Sequence, residues 1–483
     1  MTCQKNAPRK YQQEANIKIN QALNAGINPI YCAPCRTGKT KTTAFVIESR
    51  KQMKEIFFVL VPSFEIFDQW CLEFSQSGID YGYINADGVT GKNKRVYVCM
   101  PMSLNNMLSV LPEKFRPDII ITDECHRSEA NTWQNIYNFY PHAKRLGLTA
   151  TPQRTDGKGL DNTYDTIIET IDIDTAIKDG YLTKPVLIVP EKYKIEMDVP
   201  IIDGDYDINK QAELLGKTQI IGDVISQYGN IFNGAPVLVA CCTLEHAEKM
   251  TAEFNKAGWK FETISSQIPY SERKRMLRQI RNGELNGLCT VAIGIEGLTI
   301  EGLYGLIWLR RTMSLTVYIQ FSCRPLTPAK GKKYGIILDP VGNCFIHGKV
   351  ELHRTWSLKG KTERTPADDL APKMKICPVC NVMNSSENII CHICGYDFSS
   401  DKIPTNKRRL PVMVDGELVL LDEHELTERQ EEIKIKLSEN KRHTKQEEKK
   451  TEMRKLTQEE KLQILKNGLE RKNNLFEKGK IWL

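Results

Sequence analysis

The segment APCRTGKT, at positions 33–40, constrains the fold of this chain more than any other. It follows a short apolar run, residues 29–32, and precedes KTTAFVIESRKQM, which carries a helical pattern. Strand, loop and helix in that order gather the loop's backbone N–H groups at a helix N-terminus, where they form an anion cradle. In such a loop Lys39 is expected to reach the β- and γ-phosphates of a nucleotide, and the Thr40 hydroxyl to ligate Mg²⁺. Arg36, Thr37 and Gly38 complete the loop. The usual pattern opens on glycine where this chain has Ala33.

About 85 residues further on, DECH (123–126) closes an apolar run. A strand that ends on adjacent carboxylates beside a phosphate loop offers one to a metal and one to a water. Asp123 is the candidate for Mg²⁺, and Glu124 for orienting or deprotonating the attacking water. Isolated, such a pair is an ordinary solvated turn; the phosphate loop upstream is what gives it meaning.

The apolar runs IFFVLVP (56–62), VYVCM (96–100), DIIITDE (118–124) and RLGLTATP (145–152) are bounded as buried parallel strands are. The pattern restarts at PVLVACC (236–242) and continues through GLCTVAI (287–293), YGLIWL (304–309) and KYGIILDP (333–340). Two successive α/β units are expected, residues 1–180 and 181–360, with the polar, aperiodic stretch near 190–220 joining the halves or decorating the second. Residues 360–375 read as a linker. The chain's 483 residues suit about three domains, and its 41% apolar and 26% charged content is that of a globular protein.

Further motifs follow in order: RKYQQEA (9–15), LTATPQRTDG (148–157), RKRMLRQIRNGELNGLCTVAIGIEGLTIEGL (273–303) and YIQFSCRPLTPAKGKKYGIILDPVGN (318–343). With APCRTGKT and DECH they resemble superfamily 2 helicases and translocases of the DEAD/DEAH group. LDPVGN, HGKVELHRTWSLKG (347–360) and a following four-cysteine module are most similar to bacterial RadD-like repair ATPases and their phage relatives. The resemblance implies two tandem RecA-like parallel-sheet domains and an ATP-dependent activity on DNA in repair, recombination or replication. It implies that Gln12 reads the adenine edge, and that His126 and the 149–151 element couple nucleotide state to lobe movement. Gln320 and Arg324 are implied to close on the γ-phosphate. PSFEIFDQW (62–70), MPMSL (100–104) and residues 290–299 match strand-gripping segments, so single-stranded or branched DNA is the expected partner. Two motifs depart from the family: Thr299 stands where many relatives have Asp, and Cys323 and Thr327 replace a glycine and an arginine around Arg324. An RNA-remodelling ATPase and a nucleotide-switched scaffold with little hydrolysis both stay open.

Of the 15 cysteines, Cys377, Cys380, Cys391 and Cys394 form two Cys-x-x-Cys pairs. Four thiolates suit tetrahedral Zn²⁺, and a unit of about 25 residues needs such a staple to fold. Residues 371–400 are therefore expected to be a structural zinc ribbon, with His392 exposed. Residues 401–483 are expected to form a charged helical tail. The ribbon or the tail is a candidate surface for a protein partner. The net charge of +7 names no partner. No apolar stretch suits a bilayer or a signal peptide, so the expected location is the cytoplasm of a bacterium or phage-infected host.

Overall fold

The computed structural model describes residues 7–360 apart from 92, 113–114, 155–156, 190–198, 203, 292–299 and 301, together with 374–399, 410–414, 417–421, 428 and 435. The linker at 361–373, Thr299 and nearly all of the tail lie outside the described residues.

In the first lobe the strands are β1 Pro29–Cys32, β2 Phe57–Leu60, β3 Tyr81–Asn85, β4 Gly88–Thr90, β5 Val96–Cys99, β6 Ile119–Asp123, β7 Lys144–Thr149 and β8 Thr166–Glu169. They form one sheet in the order β4-β3-β5-β2-β6-β7-β1-β8, parallel except for the β3–β4 edge pair. The central strands β1, β2, β5 and β6 are buried at every position, which is why they read as unbroken apolar runs. Helices α1 Lys10–Asn24, α2 Lys39–Ser49, α3 Phe64–Ser77, α4 Pro101–Met107, α5 Asn131–Phe139 and α6 Ile173–Lys178 accompany the sheet. Ser63 starts α3 by accepting from the Ile66 amide, and left-handed Gly78 ends it.

The second lobe begins with β9 Lys184–Ile188, a short hairpin of β10 Ile201–Ile202 and β11 Asp205–Tyr206, and helices α7 Ile208–Leu215 and α8 Thr218–Phe232. It continues with β12 Val237–Cys241, α9 Leu244–Ala257, β13 Phe261–Ile264, α10 Tyr270–Arg281, β14 Gly287–Val291, β15 Gly305–Leu309, α11 Leu315–Ser322, β16 Tyr334–Leu338 and α12 Asn343–His347. Its sheet, β13-β14-β12-β15-β16-β9, is parallel throughout. Gly305 lets α8 lie close, since a Cβ there would sit 2.0 Å from the Phe232 ring. The tandem parallel-sheet architecture agrees with the sequence expectation. The stretch near 190–220, expected to be aperiodic, is a partial correction: it contains α7, which buries Gln211 and Leu215.

After α12 the chain returns to the first lobe. Arg354 fixes the turn by donating to the carbonyls of His347, Lys349, Val350 and Leu352. The Leu358 carbonyl then accepts from the Leu160 amide at 2.6 Å, and the Leu358 side chain packs on a first-lobe cluster of Ile30, Cys125, Leu160 and Tyr164. The cysteine module follows, with β17 Met374–Ile376 antiparallel to β18 Met383–Ser385. It docks on the open side of β9 through an Ile188–Val382 bridge and a Val189 N–H to Asn381 carbonyl bond of 3.0 Å. A last hairpin pairs β19 Leu410–Val414 with β20 Glu417–Leu421. Among the described residues no helix is long and apolar enough to cross a membrane.

Candidate functional site

Three neighbouring strands, β6, β7 and β1, end side by side, and each end delivers part of one cluster. β1 runs into the Gly-Lys-Thr loop, β6 ends at Asp123 and β7 ends at Thr149. Two loop residues, Arg36 and Gly38, adopt left-handed φ values of 72° and 87°. A Cβ at 38 would also crowd the side-chain nitrogen of Gln12, at 3.1 Å. Gln12 is buried against this loop, its carbonyl accepting from the Arg9 amide at 2.9 Å. Tyr11 also reaches the loop, donating to the Thr37 carbonyl.

Lys39 opens α2 and its ammonium donates to the Ala33 carbonyl at 3.1 Å, which folds the side chain back over the cradle. Burial alone pulls that ammonium down, but Cys35, Glu124 and Asp123 more than offset it and hold its pKa above the ordinary lysine value. Asp123 is raised by burial, opposed by the Trp70 indole, whose N–H donates to Oδ2 at 2.8 Å. Glu124, in left-handed backbone at φ 49°, is pushed up to about 7 by burial and by Asp123 beside it. His126 lies 3.5 Å from Glu124 and 3.4 Å from the Thr149 hydroxyl, and burial with Arg127 and Lys39 nearby drives it down to about 3, so it is neutral.

The second lobe closes the cluster with α11 and the turn after it. Gln320 donates to Glu124 Oε2 at 3.4 Å, and the Thr316 hydroxyl bonds the Gln153 carbonyl of the first lobe at 3.0 Å. Cys323 caps α11 and hydrogen-bonds Cys35 of the phosphate loop, which holds Cys35 well below the usual thiol range. Arg324 is buried in the following turn, where its charge stabilises the Cys35 and Glu124 anions. Thr327 points its hydroxyl back to the Arg324 carbonyl at 3.4 Å. Lys332, from the loop that follows the turn, donates to the carbonyls of Leu303 (2.5 Å), Thr327 (3.0 Å) and Pro325.

The sequence candidates Gln12, Arg36, Thr37, Gly38, Lys39, Thr40, Asp123, Glu124 and His126 thus share one end of the first sheet, and Gln320 reaches them from the second lobe. Sequence reasoning missed Trp70, Cys35 and Lys332. The PSFEIFDQW segment becomes α3, where Trp70 is buried against Asp123 rather than facing solvent. Its acids pair with the second lobe: Glu65 with Arg273 at 2.6 Å and Asp68 with Lys274 at 2.8 Å. Most of the 290–299 segment lies outside the described residues.

Two metals fit the donors present. The Thr40 hydroxyl, 3.4 Å from the Gln69 amide nitrogen, and the Asp123 carboxylate are hard oxygens of the kind Mg²⁺ takes. The sulfurs of Cys377, Cys380, Cys391 and Cys394 lie within 4.8 Å of one another, with contacts of 3.5 and 3.6 Å. Tetrahedral Zn²⁺ with Zn–S bonds of about 2.3 Å calls for sulfur separations of about 3.8 Å. His392 is exposed and bonds Asn384 at 2.8 Å, outside that set.

Comparison with known proteins matches residues 5–154 to the res subunit of type III restriction enzymes, 94–216 to SWI2/SNF2 ATPases and 216–326 to the helicase conserved C-terminal domain. A 51.5 kDa protein of a Lactococcus phage is 29% identical over 415 residues, spanning 84% of this chain and 83% of its own length. The DNA 3'-5' translocase XPB2 of Sulfurisphaera tokodaii is 29% identical over 156 residues, 31% of this chain and 32% of that protein. Among solved structures, the ATP-dependent type ISP restriction-modification enzyme LlaBIII bound to DNA shares the fold with a TM-score of 0.50 at 17% identity, over 69% of this chain and 28% of that one.

Proposed function

The chain belongs to superfamily 2 of the helicases and translocases, and on that premise we propose that it hydrolyses ATP between its lobes and uses the cycle to move along DNA. The observation that carries this reading is the Glu124–Gln320 contact, through which a first-lobe acid touches the second lobe directly. Lys39 and the loop amides bind the β- and γ-phosphates, and Gln12 reads the adenine edge. Glu124, as carboxylate, takes a proton from the water that attacks the γ-phosphorus. Arg324 faces the charge that develops on the γ-phosphoryl group. Thr40 and Asp123 would hold Mg²⁺, which neutralises phosphate charge when bound. Hydrolysis and phosphate release weaken the attraction on Arg324, so the lobes part and the grip on the strand shifts.

DNA rather than RNA is favoured by the likeness to a DNA translocase and to restriction-enzyme subunits. A role in repair, recombination or replication rests on the RadD-like pattern of 338–394. The specific rival is a nucleotide-switched scaffold, favoured by Thr327 at the second arginine position. Turnover measured with no polymer, single-stranded DNA, duplex, branched DNA and RNA separates these readings. Stimulation by single-stranded or branched DNA is expected. Stimulation by RNA alone moves the substrate to RNA, and slow turnover indifferent to every polymer supports the scaffold.

A further inference from the structure

At the C-terminal end of β15, on the second lobe, a small nest of donors surrounds one carboxylate. Asp205 of the β10–β11 hairpin accepts from the Met313 amide (2.7 Å) on Oδ1, and from the Thr312 hydroxyl (2.9 Å) and Arg310 Nη2 (3.3 Å) on Oδ2. Oδ1 also accepts from the hairpin's own Tyr206 amide at 2.9 Å. Next to it, Arg311 stacks its guanidinium 5.1 Å from the centre of the Tyr206 ring. An oxyanion on one arginine and an aromatic ring on the next is the pairing that a nucleotide offers, phosphate and base, to a protein that binds single strands.

The nest is incompletely filled by its present occupant. Arg310 is 5% exposed, and its Nε and Nη1 find no acceptor among the described residues. Buried donors left this way are costly, and a guanidinium fork is satisfied by two oxygens of one phosphate. The occupant is also weakly held. The hairpin pairs only Ile201 with Tyr206 and Ile202 with Asp205, and both isoleucines are more than half exposed, at 56% and 53%. Strands this short have no core of their own.

We propose that Arg310, Arg311, Thr312 and the Met313 amide form a binding site for one nucleotide of a single strand, and that Asp205 and Tyr206 occupy it in the polymer-free chain. Binding of the strand exchanges carboxylate for phosphodiester and the phenol ring for a base. The site rests on the nucleic-acid reading above and adds to it a second-lobe contact held shut by the chain itself.

The test is a salt titration of binding to a fluorescent oligothymidylate by the full chain and its Asp205→Asn, Tyr206→Ala and Arg310→Lys variants. Asp205→Asn removes the competing charge, so it should bind roughly fivefold tighter or more, with a log K against log salt slope steeper by up to about 0.7, because in the wild type the phosphate fills the nest only in the fraction of complexes that displace Asp205. Tyr206→Ala should also tighten binding, with less change in slope. Adding Arg310→Lys to Asp205→Asn should cancel much of the gain, because a point charge cannot replace the fork. Wild-type binding with Asp205→Asn equal or weaker, and an unchanged slope, overturns the site alone. Failure of wild type and every variant to bind overturns the nucleic-acid reading and the site with it.

Discussion

Trp70 ties the proposed chemistry to a group that is not itself reactive. Its indole is fully buried and gives Asp123 Oδ2 its donor. Phenylalanine would fill most of the same space and supply no N–H. We expect Trp70→Phe to lower kcat roughly 10- to 100-fold, the worth of a hydrogen bond to a charged group, while ATP affinity changes little. Equal losses in a nucleotide-binding titration would assign Trp70 to binding instead. Glu124 gives a second expectation. It must be a carboxylate to accept a proton, and its pKa is pushed up to about 7, so kcat/KM for ATP should rise with pH through about 7 and level off above it. An acid limb centred near the ordinary glutamate value, with no inflection at 7, would contradict the role.

Among the elements, the turn from Arg324 to Leu326 is tied down in part by a lysine from the next loop. Lys332 is buried, and its three carbonyl partners flank the turn and the strand below it. We expect Lys332→Met to leave those carbonyls short of donors, to cost about 3 kcal/mol or more in unfolding free energy, and to lower kcat more than it changes KM for ATP. Partial return of kcat in Lys332→Arg would separate positioning of Arg324 from bulk stability. These links explain what was legible beforehand. The apolar runs named from the sequence all contain strands, because a strand buried on both faces is mostly apolar. β3, β4 and β13 sit at or next to sheet edges, admit polar residues on one side and left no such trace. The loop and acid motifs marked Lys39, Asp123 and Glu124 as candidates, and these lie together at one end of the first sheet. Trp70 did not emerge, because a sequence does not state that α3 packs beside the strand that carries Asp123; Lys332 did not, because a lysine so deeply buried is rare.

At the scale of the molecule, the cysteine module and the second lobe share a boundary. The module docks on β9, the outermost strand of the second sheet, so it also covers an open edge. Replacing Cys377 with Ser, or stripping the metal with a chelator, should release one zinc per chain, lower the Tm of the second lobe and promote aggregation through the uncovered edge, while nucleotide binding by the first lobe persists. Metal analysis that finds no zinc in chelator-free protein would refute the site. Among the described residues the chain links the lobes at 179–183 and at 352–358, where Leu358 is anchored to Leu160. A body attached to another at one point can turn about any axis through that point; attached at two, it is left chiefly with the swing about the line joining them. The second lobe is therefore hung like a door, and the distance a contact such as Arg273 travels in each swing is set by how far it stands from that line.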